Sequence, residues 1–153
     1  MKKQTFDSAL RSTWQSVSKM YNKEAAKFES TMATGFALLS IDPEGTPATA
    51  LGPKMGMEGT SLSRLLKGME SRRLIERHPN PEDGRGVLIH LTAFGKEKRN
   101  YSREVVLAFN EQVTEQLDST KIEHFYEVIN CIRELSADFE LNLATTTSEK
   151  KLS

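Results

Sequence analysis

One cysteine, Cys131, stands in 153 residues, so no disulfide can close within the chain. Net charge is also missing: 21 basic side chains balance 21 acidic ones. A protein that coats nucleic acid without regard to sequence is usually strongly basic, so a histone-like role is excluded, though a local basic patch is not. Long apolar runs are absent. The longest, residues 32–41, is too short to span a bilayer. Met1-Lys2-Lys3 leads into polar residues and not into the apolar segment of a secretion signal. These absences lead us to expect a soluble, cytoplasmic protein with no membrane partner.

Catalytic signatures are lacking too. There is no P-loop and no GxGxxG. His78, His90 and His124 are scattered without ligand spacing, so neither a metal nor any other cofactor is expected, and the chain does not read as an enzyme. Cys131 lies between Ile129 and Ile132, which points to a buried structural thiol. Internal repeats and low-complexity segments are absent.

What is present is an uneven distribution of charge. Residues 54–103 carry 11 Lys/Arg against 6 Asp/Glu, leaving 10 against 15 elsewhere. A positive centre in an acidic frame suits an anionic partner that meets only the middle of the chain. Apolar periodicity predicts a first helix within residues 5–29, through Phe6, Leu10, Trp14, Val17 and Tyr21. Ser30 or Thr31 can cap a second, mostly apolar and therefore buried, helix that stops at Asp42-Pro43-Glu44-Gly45. Thr46 as N-cap and Pro47 at the first position start a third, which Pro53 should end or kink near Gly52. A fourth helix spans 57–72. Strands at 74–78 and 87–91 flank the turn "NPEDGRG" and predict a hairpin. Thr92 caps a long helix over 93–117. Thr120 and Glu123 fit a capping box for a last helix with Ile122, Phe125, Ile129, Ile132 and Phe139 on its apolar face. From Thr145 the chain is polar.

On a helical wheel Leu65, Leu66 and Met69 fall within roughly 60° of Leu62. The opposite face collects Thr60, Arg64, Lys67 and Ser71, with Ser61 and Ser63 on its flanks. Most such faces are simply solvated. Short hydroxyl side chains, however, let a helix approach DNA closely, while Arg and Lys reach bases or phosphates. A hairpin beside that helix can deliver Arg85 into a minor groove, with Asp83 holding its guanidinium. The bland alternative is a solvated Asp–Arg pair in a turn.

The segment "MGMEGTSLSRLLKGMESRRLIERHPNPEDGRGVLIHLTAFGK" resembles the winged helix-turn-helix of the MarR family of bacterial transcriptional regulators. The D-x-R pair at Asp83 and Arg85, the strand after it and "FGK" carry the resemblance, together with "SLSRLLKGMESRRLIER". The close match covers residues 55–96. It implies a mainly α chain with a small β-hairpin wing and an all-helical dimerisation region. Residues 1–145 would form one domain, with 1–30 and 93–145 as dimerisation helices and 31–92 as the winged helix-turn-helix, followed by a frayed tail at 146–153. It further implies a homodimer on near-palindromic double-stranded DNA. Thr60, Ser61, Ser63, Arg64 and Lys67 match the family's recognition-helix positions, and Arg85 its wing arginine. A small lipophilic or aromatic effector would bind between the dimerisation and DNA-binding regions, in a pocket bordered by the helices that carry Trp14 and Phe36.

Two departures stand out. Arg73 occupies a turn position where the family usually has glycine, so it must adopt a left-handed backbone or the turn differs. Pro53 interrupts a helix that is usually continuous. Two other readings fit the residues: a winged-helix module that binds protein, and a redox sensor built on Cys131.

Overall fold

The computed structural model describes residues 3–141. Its elements, in chain order, are α1 (Phe6–Ala26), α2 (Met32–Ser40), β1 (Thr46–Pro47), α3 (Ala48–Met55), α4 (Gly59–Ser71), β2 (Ile75–Asn80), β3 (Asp83–Leu91), α5 (Ala93–Glu115) and α6 (Ser119–Ala137). The chain packs as two units, one ending at Ala108 and the other beginning at Phe109. The expected tail at 146–153 lies outside the described residues.

Helix starts follow side-chain chemistry. Thr5 caps α1 by accepting from the Ser8 N–H at 3.4 Å, and Thr31 caps α2 by accepting from the Thr34 N–H at 3.2 Å. Thr92 opens α5, its hydroxyl accepting from the Gly95 N–H at 2.9 Å. Each cap satisfies one of the backbone donors that a helix leaves orphaned. At α6 the expectation fails by two residues: the cap is Asp118, whose carboxylate accepts from the Lys121 N–H at 2.9 Å, and not Thr120. Phe139, assigned to that helix from sequence, lies beyond its end.

In the first unit the core is formed by Ala37, Leu38 and Ile41, Leu51 of α3, Leu62, Leu66 and Met69 of α4, and Leu74, Ile75 and Ile89 of the sheet. The sheet has the order β1-β3-β2, all antiparallel. Its third strand went unnoticed in the sequence. Thr46 does not cap α3: it pairs with Ile89, and its hydroxyl accepts from the Asp42 N–H at 2.8 Å. Pro47 takes the capping position without a side-chain bond. Pro53 does not stop α3 either. The helix runs on to Met55 and ends where Gly56 turns left-handed at φ 62°. In so short a helix the missing proline N–H removes a single backbone bond, and the Met57 N–H closes the end on Gly52 O at 3.0 Å.

The "FGK" glycine has a steric reason. A Cβ on Gly95 would collide with the carbonyl oxygen of Leu74, so α5 lies against the root of the wing at backbone contact. In the second unit, by contrast, no described residue is buried.

Candidate nucleic-acid interface

Helix α4 is divided as the wheel predicted. Leu62, Leu66 and Met69 are buried, while Thr60, Ser61, Ser63, Arg64, Lys67 and Ser71 are exposed. Neither Arg64 nor Lys67 joins an ion pair among the described residues. The one acid on the last turns, Glu70, is engaged by Arg77 of β2, whose Nε donates to its carboxylate at 2.9 Å. The exposed face of α4 therefore presents unneutralised cations among short hydroxyls.

The wing is longer than the sequence suggested, because pairing runs to Asn80 and Asp83. Between Pro79↔Val87 and Asn80↔Asp83, β2 advances one residue and β3 advances four. Gly84, Arg85 and Gly86 therefore bulge from the ladder with nothing opposite them. Two small side chains shape this tip. Asn80 Oδ1 accepts from the Glu82 N–H at 3.0 Å, and Asp83 Oδ1 accepts from the Arg85 N–H at 3.1 Å. The sequence suggested that Asp83 grips the Arg85 guanidinium. Its carboxylate binds the backbone instead, as Asp does in turns, and Arg85 forms no ion pair among the described residues. Asp83 sets the shape of the tip, and Arg85 projects from it, exposed.

At the turn before α3, Lys54 Nζ meets Asp42 Oδ2 at 3.0 Å and Ser40 O at 3.1 Å. The hydrogen bond from Lys54, then that from Thr46, holds the Asp42 carboxyl below its ordinary range. Lys54 is thus spent on the fold, although it opens the basic segment.

Two of the three histidines, His78 and His90, lie closer together than their spacing implied. Cross-strand pairing brings His78 and His90 together edge to face, with ring centroids 4.9 Å apart, and Glu76 binds His78 at 3.2 Å. Among the described residues no three His, Cys, Asp or Glu side chains converge on a site for a metal ion. Cys131 is exposed, not buried, because α6 buries nothing among the described residues.

A cavity of about 50 Å³ lies among α1, α2 and α5, lined by Tyr21, Phe28, Met32, Phe36, Tyr101 and Val105 among others. Phe36 is in its wall. Trp14 reaches it only through stacking on Phe36, at 6.3 Å between centroids. Phe28 and Tyr101 close on each other at 3.8 Å, and Lys98 sits over the Phe28 ring at 5.6 Å. The sequence gives no signal for Arg72, which bonds to the backbone of Glu29. Its partner is 43 positions away, and no local pattern signals it.

Residues 37–86, from α2 to the wing tip, match the model of the MarR family. An uncharacterised HTH-type transcriptional regulator of Bacillus subtilis (strain 168), YhbI, is 22% identical over 134 residues, covering 87% of this chain and 86% of that protein. The fold is similar to that of MepR from S. aureus in a DNA complex, with a TM-score of 0.77 at 20% identity over 88% of this chain and 99% of that one. It is equally similar to the MarR family transcription regulator SP03579, with a TM-score of 0.77 at 25% identity over 85% and 87% of the two chains. The matched segment, about a third of the chain, coincides with the helix pair and wing described above, and over it the chain is similar to the MarR family.

Proposed function

We propose that this protein is a transcriptional regulator, not an enzyme, that reads DNA as a homodimer. The observation that carries this reading is the two-sided character of α4: a fully apolar buried face, and an exposed face of hydroxyls and unpaired cations beside a wing that projects one arginine. In this reading Thr60, Ser61, Ser63, Arg64 and Lys67 enter a major groove. Arg85 enters the flanking minor groove, where negative potential is strongest when the groove is narrow. Asp83 shapes the turn that presents it. Two copies related by a two-fold axis would read a near-palindrome, with half-sites about one helical turn apart. The exposed apolar faces of α1 and α6 are the surfaces available for pairing, with Phe6 at 70% and Leu135 at 68% exposure in the single chain. MepR, of the same fold, is known in complex with DNA.

The cavity suits a flat lipophilic or aromatic effector in chemistry but not in present volume, since ligand clefts typically hold about 300–1,000 Å³. Binding there would require Phe28 and Tyr101 to part.

Selection of duplexes from a random pool tests the reading. An enriched near-palindrome is the expected result, and no enrichment at low salt by folded protein would refute it. Arg64→Ala should then cost about 1–3 kcal/mol and relax the preference at one position of each half-site. A variant with unaltered preference would remove Arg64 from the base-reading set.

A further inference from the structure

Among the described residues two that are not glycine hold a positive φ, Glu29 at 54° and Arg73 at 58°. Each stands just past a helix end. After α1, the Ser30 N–H reaches Ala25 O at 3.0 Å and the Glu29 N–H reaches Ala26 O at 3.2 Å. After α4, the Leu74 N–H reaches Met69 O at 3.0 Å and the Arg73 N–H reaches Glu70 O at 2.9 Å. This paired closure normally seats a glycine, because a Cβ disfavours the left-handed conformation.

These two strained ends are joined to each other. Arg72, at the C-terminal end of α4, donates from Nη2 to the carbonyl oxygen of Glu29 at 2.8 Å. The residues around Glu29 are cavity wall: Phe28, Ser30, Thr31 and Met32 all line it. The same wall is pinned on its other side, where the Met32 N–H donates to Asn22 Oδ1 at 3.0 Å. A second connection runs through Thr92, whose hydroxyl donates to Arg73 O at 2.6 Å while capping α5. Helix α5 brings Lys98 and Tyr101 to the cavity.

We propose that Arg72 is a positioning residue that ties the reading helix to the cavity wall. Its hydrogen bond to Glu29 fixes the C-terminal end of α4 against the backbone between α1 and α2. Engagement of DNA by α4 and the order of residues 28–32 are therefore energetically linked, and the linkage is reciprocal. This inference rests on the DNA-binding reading. A strained backbone at both anchor points suits such a device, since residues held in sparsely populated conformations persist only when surrounding contacts fix them.

The test uses the full chain, the duplex enriched by the wild type, and the variants Arg72→Met and Arg72→Lys. Affinity is measured over a salt series, and amide exchange at residues 30–35 is followed with and without duplex. Arg72→Met should bind the duplex roughly three- to tenfold more weakly, the scale of one hydrogen bond. Its salt slope should be unchanged, and Arg72→Lys should recover most of the loss. Duplex should slow exchange at Ser30, Met32 and Thr34 in the wild type but not in Arg72→Met. A salt slope that falls by about one would make Arg72 a phosphate contact and overturn the proposal. So would slowing that survives in Arg72→Met, or an affinity equal to that of the wild type. If the wild type enriches no duplex, the DNA reading falls and the proposal falls with it. Glu29→Gly, which keeps the carbonyl and relieves the backbone, should bind as the wild type does, and a tenfold loss there would also overturn the proposal.

Discussion

Every buried apolar side chain among the described residues falls between Ala37 and Ile89, while the second unit buries none and exposes Val113, Leu117, Phe125, Tyr126, Val128, Leu135, Phe139 and Leu141. The two regions use apolar residues for different ends. In the winged helix they fill an interior that this one chain completes. On α6 they stay exposed among the described residues. A helix whose apolar face stays wet is poorly stable alone, since most helix stability in proteins comes from packing that face. The contrast teaches that the winged helix completes its own core, whereas α6 leaves its apolar residues exposed.

The largest effect expected from this comparison is in the core. Leu66→Ala should lower unfolding stability by about 2–5 kcal/mol in a denaturant titration, because it leaves a cavity among residues that cannot collapse fully. A loss under half a kilocalorie would show that α4 is not anchored as described. Next comes the partner face. Phe125, 57% exposed in the single chain, should show no such intrinsic cost. Instead Phe125→Ala should weaken self-association by about 1.5–3 kcal/mol, seen as a rise in the dissociation constant by sedimentation, if pairing buries the ring. A dissociation constant that does not move would take Phe125 out of the pairing surface.

A smaller effect has the opposite sign. Arg73→Gly should stabilise the fold by about 1 kcal/mol, because glycine adopts φ 58° without a Cβ penalty. A lower melting temperature would mean that the Arg73 side chain contributes more than its backbone costs. The smallest concerns Asp42, whose folded pKa lies below its ordinary 3.8 through Lys54 and Thr46. A depressed carboxyl pKa contributes stability above the unfolded value that is lost as pH falls through the folded one. Asp42→Asn should therefore melt slightly earlier than the wild type at neutral pH and converge with it in strong acid. A gap that persists undiminished there would point to lost packing and not to lost charge.

Sequence alone determined what depends on neighbours within a turn or two. The caps at Thr31 and Thr92, the buried and exposed faces of α4, and the hairpin all follow from local periodicity and side-chain reach. For Arg73 the sequence leaves open a left-handed backbone or a different turn, and the structure takes the first, at φ 58°. Tertiary structure decided the rest, for one physical reason: the partners are distant in sequence. Thr46 joins a strand because Ile89 offers it backbone bonds, and no local rule contains Ile89. Asp83 spends its carboxylate on a turn whose shape depends on strand register. Cys131 is exposed because α6 buries no side chain among the described residues, and Arg72 meets Glu29 only once α1 and α4 have packed.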